Sequence, residues 1–99
     1  MTKHIMVLGL GRIGGAIAQL FHGDSRYHVT GADINAQLLE QYAQQFKTLH
    51  VKGNQFSNLL KGQDAVLSAL SFKENPQVAQ AALENGCSYF DLTEDVRCT

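Results

Sequence analysis

The chain has 99 residues, a length that fits one domain and one modest core rather than two. Apolar residues make up 44% of it, which suits a soluble globular fold and excludes a disordered one. With 8 basic and 9 acidic residues and a net charge of -1, it has no electrostatic case for binding nucleic acid.

The chain opens on Ile5-Met6-Val7-Leu8, a continuous apolar run ended by Gly9. Such a run predicts a strand buried on both faces, as in a parallel sheet covered by helices. Arg12 to Phe21 follows as a helix, with Ile13, Ile17, Leu20 and Phe21 at the spacing of one apolar face. Gly23 is placed to end it in the left-handed conformation. Tyr27 to Ala32 reads as a second strand bounded by Asp33, and Asn35 to Phe46 as a second helix, with Leu38 or Leu39, Tyr42 and Phe46 inward.

Thr48 to Val51 is a short third strand, and Phe56 to Lys61 a short helix stopped by Gly62. Asp64 to Leu70 is the fourth strand. Asn75 then caps a helix with Pro76 at its first position, where the missing N–H costs little. Val78, Ala79, Ala82 and Leu83 are its expected buried face, Gly86 its stop, and Ser88 to Leu92 the fifth strand.

Strand and helix alternate throughout, and their short connections demand right-handed crossovers. The expectation is an α/β fold of Rossmann type: a doubly wound parallel sheet in the order 3-2-1-4-5, helices on both faces, and a switch point between the first and fourth strands. A full two-halved fold of this type has a sixth strand and none is read here, so residues 1–99 look cut at a domain boundary or just short of one. The longest apolar runs fall far short of the ~20 residues of a membrane span. The start of the chain leaves no room for a signal peptide, and the expected location is cytoplasmic.

The chemistry is concentrated at the first turn. Gly9-Leu10-Gly11-Arg12-Ile13-Gly14 spans a buried strand and an amphipathic helix, the setting in which this glycine spacing holds a pyrophosphate. Gly9 permits the tight turn, Gly11 lets the backbone approach phosphate, and Gly14 lets helix pack on strand. The free N–H groups and dipole at the helix start face the anion. Asp33, about 20 residues further on, stands where a carboxylate accepts hydrogen bonds from a ribose and repels a 2′-phosphate. Ile34 and Asn35 follow it, with no arginine, so NAD is expected ahead of NADP. Asp33 also suits a cap of the second helix, and both roles can hold, with the ribose role favoured. Ala69, Leu70, Ser71 and Phe72 leave the fourth strand at the switch point and are expected to line the same crevice, with Asn75 beyond them.

Other residues carry weaker signals. His4, His22, His28 and His50 are scattered and read as structural or surface residues, with no metal-ligand pair on one helix face. Asp91, Glu94 and Asp95 form an acidic group that reads as a solvated edge, though such a group can also bind an amine. Ser71 has no histidine and acid in triad positions. Cys87 reads as buried packing, and with Cys98 as a reduced thiol.

The segment from Asp64 to Phe72, with Asn75, Val78 to Ala82 and Gly86 to Asp95, resembles the saccharopine dehydrogenase family, most specifically over Tyr89 to Asp95. The resemblance implies an N-terminal domain holding NAD or NADP in an oxidoreductase acting on an amino acid or related amine. It further implies that hydride transfer occurs against a second, C-terminal domain, so that this chain alone holds cofactor without turnover and supplies no catalytic residue. The family often places an acidic residue near the adenine. Here Val51-Lys52-Gly53-Asn54 stands instead, leaving Asn54 as the polar candidate. Two non-catalytic readings share the glycine loop and Asp33: a regulatory nucleotide-binding module of potassium transport and a short dinucleotide sensor. The Tyr89 to Asp95 segment argues against the first. A homo-oligomer is compatible with the sequence.

Overall fold

The computed structural model describes residues 2–51, 56–69 and 75–91. Among these residues five strands form one sheet: β1 (Lys3–Leu8), β2 (Tyr27–Asp33), β3 (Lys47–His50), β4 (Ala65–Ser68) and β5 (Ser88–Asp91). Four helices alternate with them: α1 (Arg12–His22), α2 (Ala36–Tyr42), α3 (Phe56–Leu59) and α4 (Asn75–Glu84). The strand order is β3-β2-β1-β4-β5 and every pairing is parallel. The expected topology is therefore the one observed. β1 is central: Leu8 pairs with Ala32 of β2 on one side and with Ser68 of β4 on the other.

The pleat divides the core in two. Met6, Leu8, Ala32 and Val66 face α3 and α4, where Phe56, Leu60, Val78, Ala81, Ala82 and Cys87 meet them. Ile5, Val7 and Val29 face α1 and α2, where Leu10, Ala18, Leu39 and Phe46 meet them. Met6, Val7 and Leu8 are fully buried, which explains why β1 is a continuous apolar run rather than an alternating one. Each such side chain contributes about 1.5–3 kcal/mol by leaving water.

The inward face of α1 differs from the sequence expectation. Gly14, Gly15 and Ala18 are buried, while Ile13 and Leu20 are 52% and 74% exposed, and Ile17 and Phe21 are half-buried. The helix packs too closely for large side chains at two of these positions: a β-carbon on Gly14 would collide with the Gly9 carbonyl oxygen, and one on Gly15 with the Tyr42 hydroxyl of α2. In α4 the same substitution of small for large holds, with Val78, Ala81 and Ala82 buried, Ala79 half-buried and Leu83 exposed.

Several ends also move. Gly23 closes α1 with φ -72°, not in the left-handed region, whereas Gly62 and Gly86 do adopt positive φ after α3 and α4. α2 stops at Tyr42, and Phe46 reaches the core from the following turn, its ring stacked on that of Tyr42. α3 ends at Leu59, short of Lys61. β3 begins at Lys47 and ends at His50. Asp64 lies outside β4, and its carboxylate accepts the His4 N–H at 2.7 Å near the start of β1.

Candidate functional site

The carboxyl ends of β1, β2 and β4 meet at the switch point. Beyond the last paired residues, the Gly9 N–H donates to the Ala32 carbonyl and the Ala69 N–H to the Leu8 carbonyl, both at 2.8 Å. The β1 chain then turns sharply: Gly9 has φ 91°, a conformation open to glycine and strained for other residues. Gly11 follows as the cap of α1, with extended backbone and no side chain to satisfy the first amides of the helix. No acidic residue sits in that first turn.

The three glycines play distinct parts. A β-carbon on Gly11 would meet nothing within 4 Å, so the space above it is open. One on Gly14 would collide with the Gly9 carbonyl oxygen and lie 3.1 Å from the Ala69 β-carbon. Ala69, a residue expected at the crevice, is thus brought against the glycine loop. An open cradle at an uncapped helix N-terminus suits an anion, since unpaired N–H groups and the helix dipole both favour negative charge there.

Asp33 ends β2 beside this loop and is 8% exposed. Its Oδ2 accepts the Leu10 N–H at 2.7 Å and its Oδ1 the Asn35 N–H at 2.8 Å. The helix cap belongs to Asn35, whose Oδ1 accepts the amides of Gln37 and Leu38. Of the two roles open to Asp33 in the sequence, capping is therefore Asn35's. Ile34 is exposed beside it, and its carbonyl receives His50 Nε2 at 2.9 Å.

Arg12 and Ile13 are exposed on the first turn of α1. Gly9, Gly11, Arg12, Ile13, Gly14, Asp33, Ile34 and Ala69 thus lie around one edge of the sheet. Asn54, Leu70, Ser71 and Phe72 lie outside the described residues, as do Glu94, Asp95 and Cys98. Leu10 was not singled out in the sequence, yet it is the residue that ties Asp33 to the loop. The signal available was an apolar residue between the first two glycines, and it is 1% exposed in the α1–α2 core.

Of the remaining candidates, Cys87 is buried in the core, where loss of hydration raises its thiol pKa. His4 and His28 lie opposite one another on β1 and β2, their rings edge to face at 5.1 Å. Among the described residues no group of three or more His, Cys, Asp or Glu could hold a metal, and no helix is long and apolar enough to cross a membrane.

A parallel 3-2-1-4-5 sheet with this glycine turn at its switch point defines a Rossmann-type dinucleotide-binding domain. The chain matches the family described as saccharopine dehydrogenase NADP binding domain over residues 5–98 and belongs to that family. It is a nicotinamide-dinucleotide-binding domain, as the resemblance implied, and the family match sets aside the potassium-transport module. No curated protein matches the chain.

Solved structures share the fold. Saccharopine dehydrogenase (L-Glu forming) from Saccharomyces cerevisiae superposes with a TM-score of 0.82 at 16% identity, over 93% of this chain and 22% of that one. Scyllo-inositol dehydrogenase from Lactobacillus casei, with bound NAD(H) and scyllo-inositol, gives 0.79 at 18% identity, over 92% and 28%. Biliverdin reductase from Synechocystis, in complex with biliverdin and NADP+, gives 0.74 at 21% identity, over 89% and 28%. The chain therefore spans about a quarter of the length of these proteins.

Proposed function

We propose that the chain is the cofactor-holding part of a larger oxidoreductase acting on an amino acid or related amine, with NAD(H) preferred. The open cradle over Gly11 at the uncapped start of α1 carries the cofactor reading, because it is space that a phosphate-bearing ligand can fill. The amine substrate rests on the family's description and on the fold likeness to a saccharopine dehydrogenase.

In this reading the amides of the Gly9–Gly14 turn hold the pyrophosphate. Each Asp33 oxygen accepts one backbone amide, leaving lone pairs for the hydroxyls of the adenosine ribose. When bound, the nicotinamide gives or takes a hydride. Ala69 lies on the nearer side of the crevice, and the sequence assigns further cofactor contacts to Leu70, Ser71, Phe72 and Asn54. No residue of this chain is assigned a catalytic role.

An apolar groove on the α1 side of β4 and β5 supports membership of a larger protein. It is lined by Ile5, Phe21, Tyr27, Leu67 and a half-exposed Phe90, a surface that a neighbouring segment would cover.

Asp33 without an adjacent arginine favours the unphosphorylated ribose, whereas the family's description names NADP. The two cofactors are accordingly the two arms of the test. Titration of the chain with NADH and NADPH side by side, followed by nicotinamide fluorescence, is expected to show tighter NADH binding. Equal or tighter NADPH binding overturns the preference, and binding of neither overturns the dinucleotide reading for the isolated chain.

A further inference from the structure

We propose that Asp33 is a positioning residue for the glycine-rich loop: its carboxylate holds the Leu10 amide and thereby sets affinity for the pyrophosphate, independently of any ribose contact. The proposal deepens the dinucleotide reading and rests on it for its binding arm.

The parallel ladder between β1 and β2 runs to Leu8 opposite Ala32, and the Gly9 N–H still finds the Ala32 carbonyl. At Gly9 the backbone turns away with φ 91°. The next amide, Leu10, is met by a side chain in place of a backbone carbonyl, Asp33 Oδ2 at 2.7 Å in a buried setting. The other oxygen is tied to the Asn35 N–H, so the carboxylate is itself held against the start of α2.

Leu10 is anchored on its other side as well. Its side chain lies in the core over Gly31: a β-carbon there would sit 2.9 Å from both Leu10 methyl carbons. The apex of the loop is thus pinned by packing through Leu10's side chain and by charge through its amide. Removing one pin frees the peptide planes that present Gly11 and the start of α1. A loop that must be ordered on binding gives weaker affinity than one already ordered.

The residue type is also specified. Both partners of the side chain are N–H donors, so it must accept on both oxygens. A carboxylate does so, whereas a carboxamide turns an NH2 group toward one of the amides. Asp33→Asn is therefore not neutral despite its matching shape.

The test uses the chain, Asp33→Ala and Asp33→Asn, with NADH and its adenosine-2′-deoxy analogue as ligands. Amide hydrogen exchange is followed residue by residue in the free proteins. The expected result is a protected Leu10 amide in the parent chain that exchanges at least about tenfold faster in either variant, while the amides inside β1 and β2 keep their protection. Both variants should also lose about tenfold or more in affinity for both ligands.

If the variants lose affinity for NADH and keep that for the deoxy analogue, Asp33 acts through the ribose alone and the proposal fails. Unchanged Leu10 exchange overturns it as well. If Asp33→Ala does not fold, the isosteric Asp33→Asn decides. If the parent chain binds neither ligand, the dinucleotide reading fails, and exchange at Leu10 still decides whether Asp33 orders the loop.

Discussion

Gly14 sits on the carbonyl of Gly9: a β-carbon on the first would collide with the oxygen of the second and approach its carbon to 2.9 Å. The start of α1 is therefore packed against the turn that precedes it, and Gly14 belongs to the packing of the loop. Gly11, two residues past Gly9, faces open space. The same motif thus divides into a glycine packed against backbone and one that faces open space.

That division predicts opposite phenotypes. Gly14→Val should lower stability by about 3 kcal/mol or more, since the obstacle is backbone, which cannot step aside as a flexible side chain would. For a domain of this size that is a fall in melting temperature on the order of 10 °C or more. Gly11→Val should melt close to the parent chain and lose cofactor binding, because its added methyls fill the space offered to the pyrophosphate. Thermal melts paired with NADH titration check both. Unfolding by Gly11→Val together with a stable, non-binding Gly14→Val would reverse the assignment.

Asn35 is predicted to be the cap that Asp33 is not. Its Oδ1 accepts the Gln37 and Leu38 amides at the exposed start of α2. Asn35→Ala should cost about 1 kcal/mol and Asn35→Asp much less, measured by urea denaturation. A loss well below this from Asn35→Ala would show that water satisfies those amides equally well.

Asp24 and Arg26 set a pH dependence. The Arg26 side chain and backbone both donate to the Asp24 carboxylate, with the closest contact at 2.7 Å, and hold its pKa near about 2 instead of the ordinary 3.8. A carboxyl depressed in the folded state favours folding above its unfolded pKa. That contribution falls away as pH drops from about 4 through about 2. The pair is exposed to solvent, so its effect on the melting temperature should be small. Carboxyl NMR titration should place the Asp24 midpoint near about 2, and Arg26→Gln should return it toward 3.8.

Dehydrogenation is predicted to be absent from the chain alone. Hydride transfer needs the nicotinamide and the substrate carbon held in alignment, with groups on both sides of the ring. Among the described residues, the glycine turn and Ala69 at the end of β4 form one wall. Mixing the purified chain with NAD and saccharopine or lysine should leave the absorbance of reduced nicotinamide unchanged. Sustained turnover would identify the 99 residues as a complete enzyme.

The order of elements, the parallel 3-2-1-4-5 sheet and the place of the glycine turn were legible in the sequence, because each is carried locally. Apolar runs mark strands, Gly62 and Gly86 mark the turns after helices, and Asn35 stands at the head of α2. Local pattern also located most of the candidate site, since Gly9 to Gly14 is one contiguous segment and Asp33 closes a recognisable strand. Periodicity did not settle which face of α1 turns inward. Large apolar residues suggest Ile13 and Leu20, whereas close approach to Gly9 and Tyr42 requires Gly14 and Gly15, with Ala18 buried and Ile17 and Phe21 partly buried against the same core. Nor could it disclose the partner of Asp33. The amide it holds lies 23 residues away on the neighbouring strand's turn and becomes its partner only when β1 and β2 align in register. A side chain that satisfies a distant backbone group leaves no trace in local pattern, and only the tertiary structure decided it.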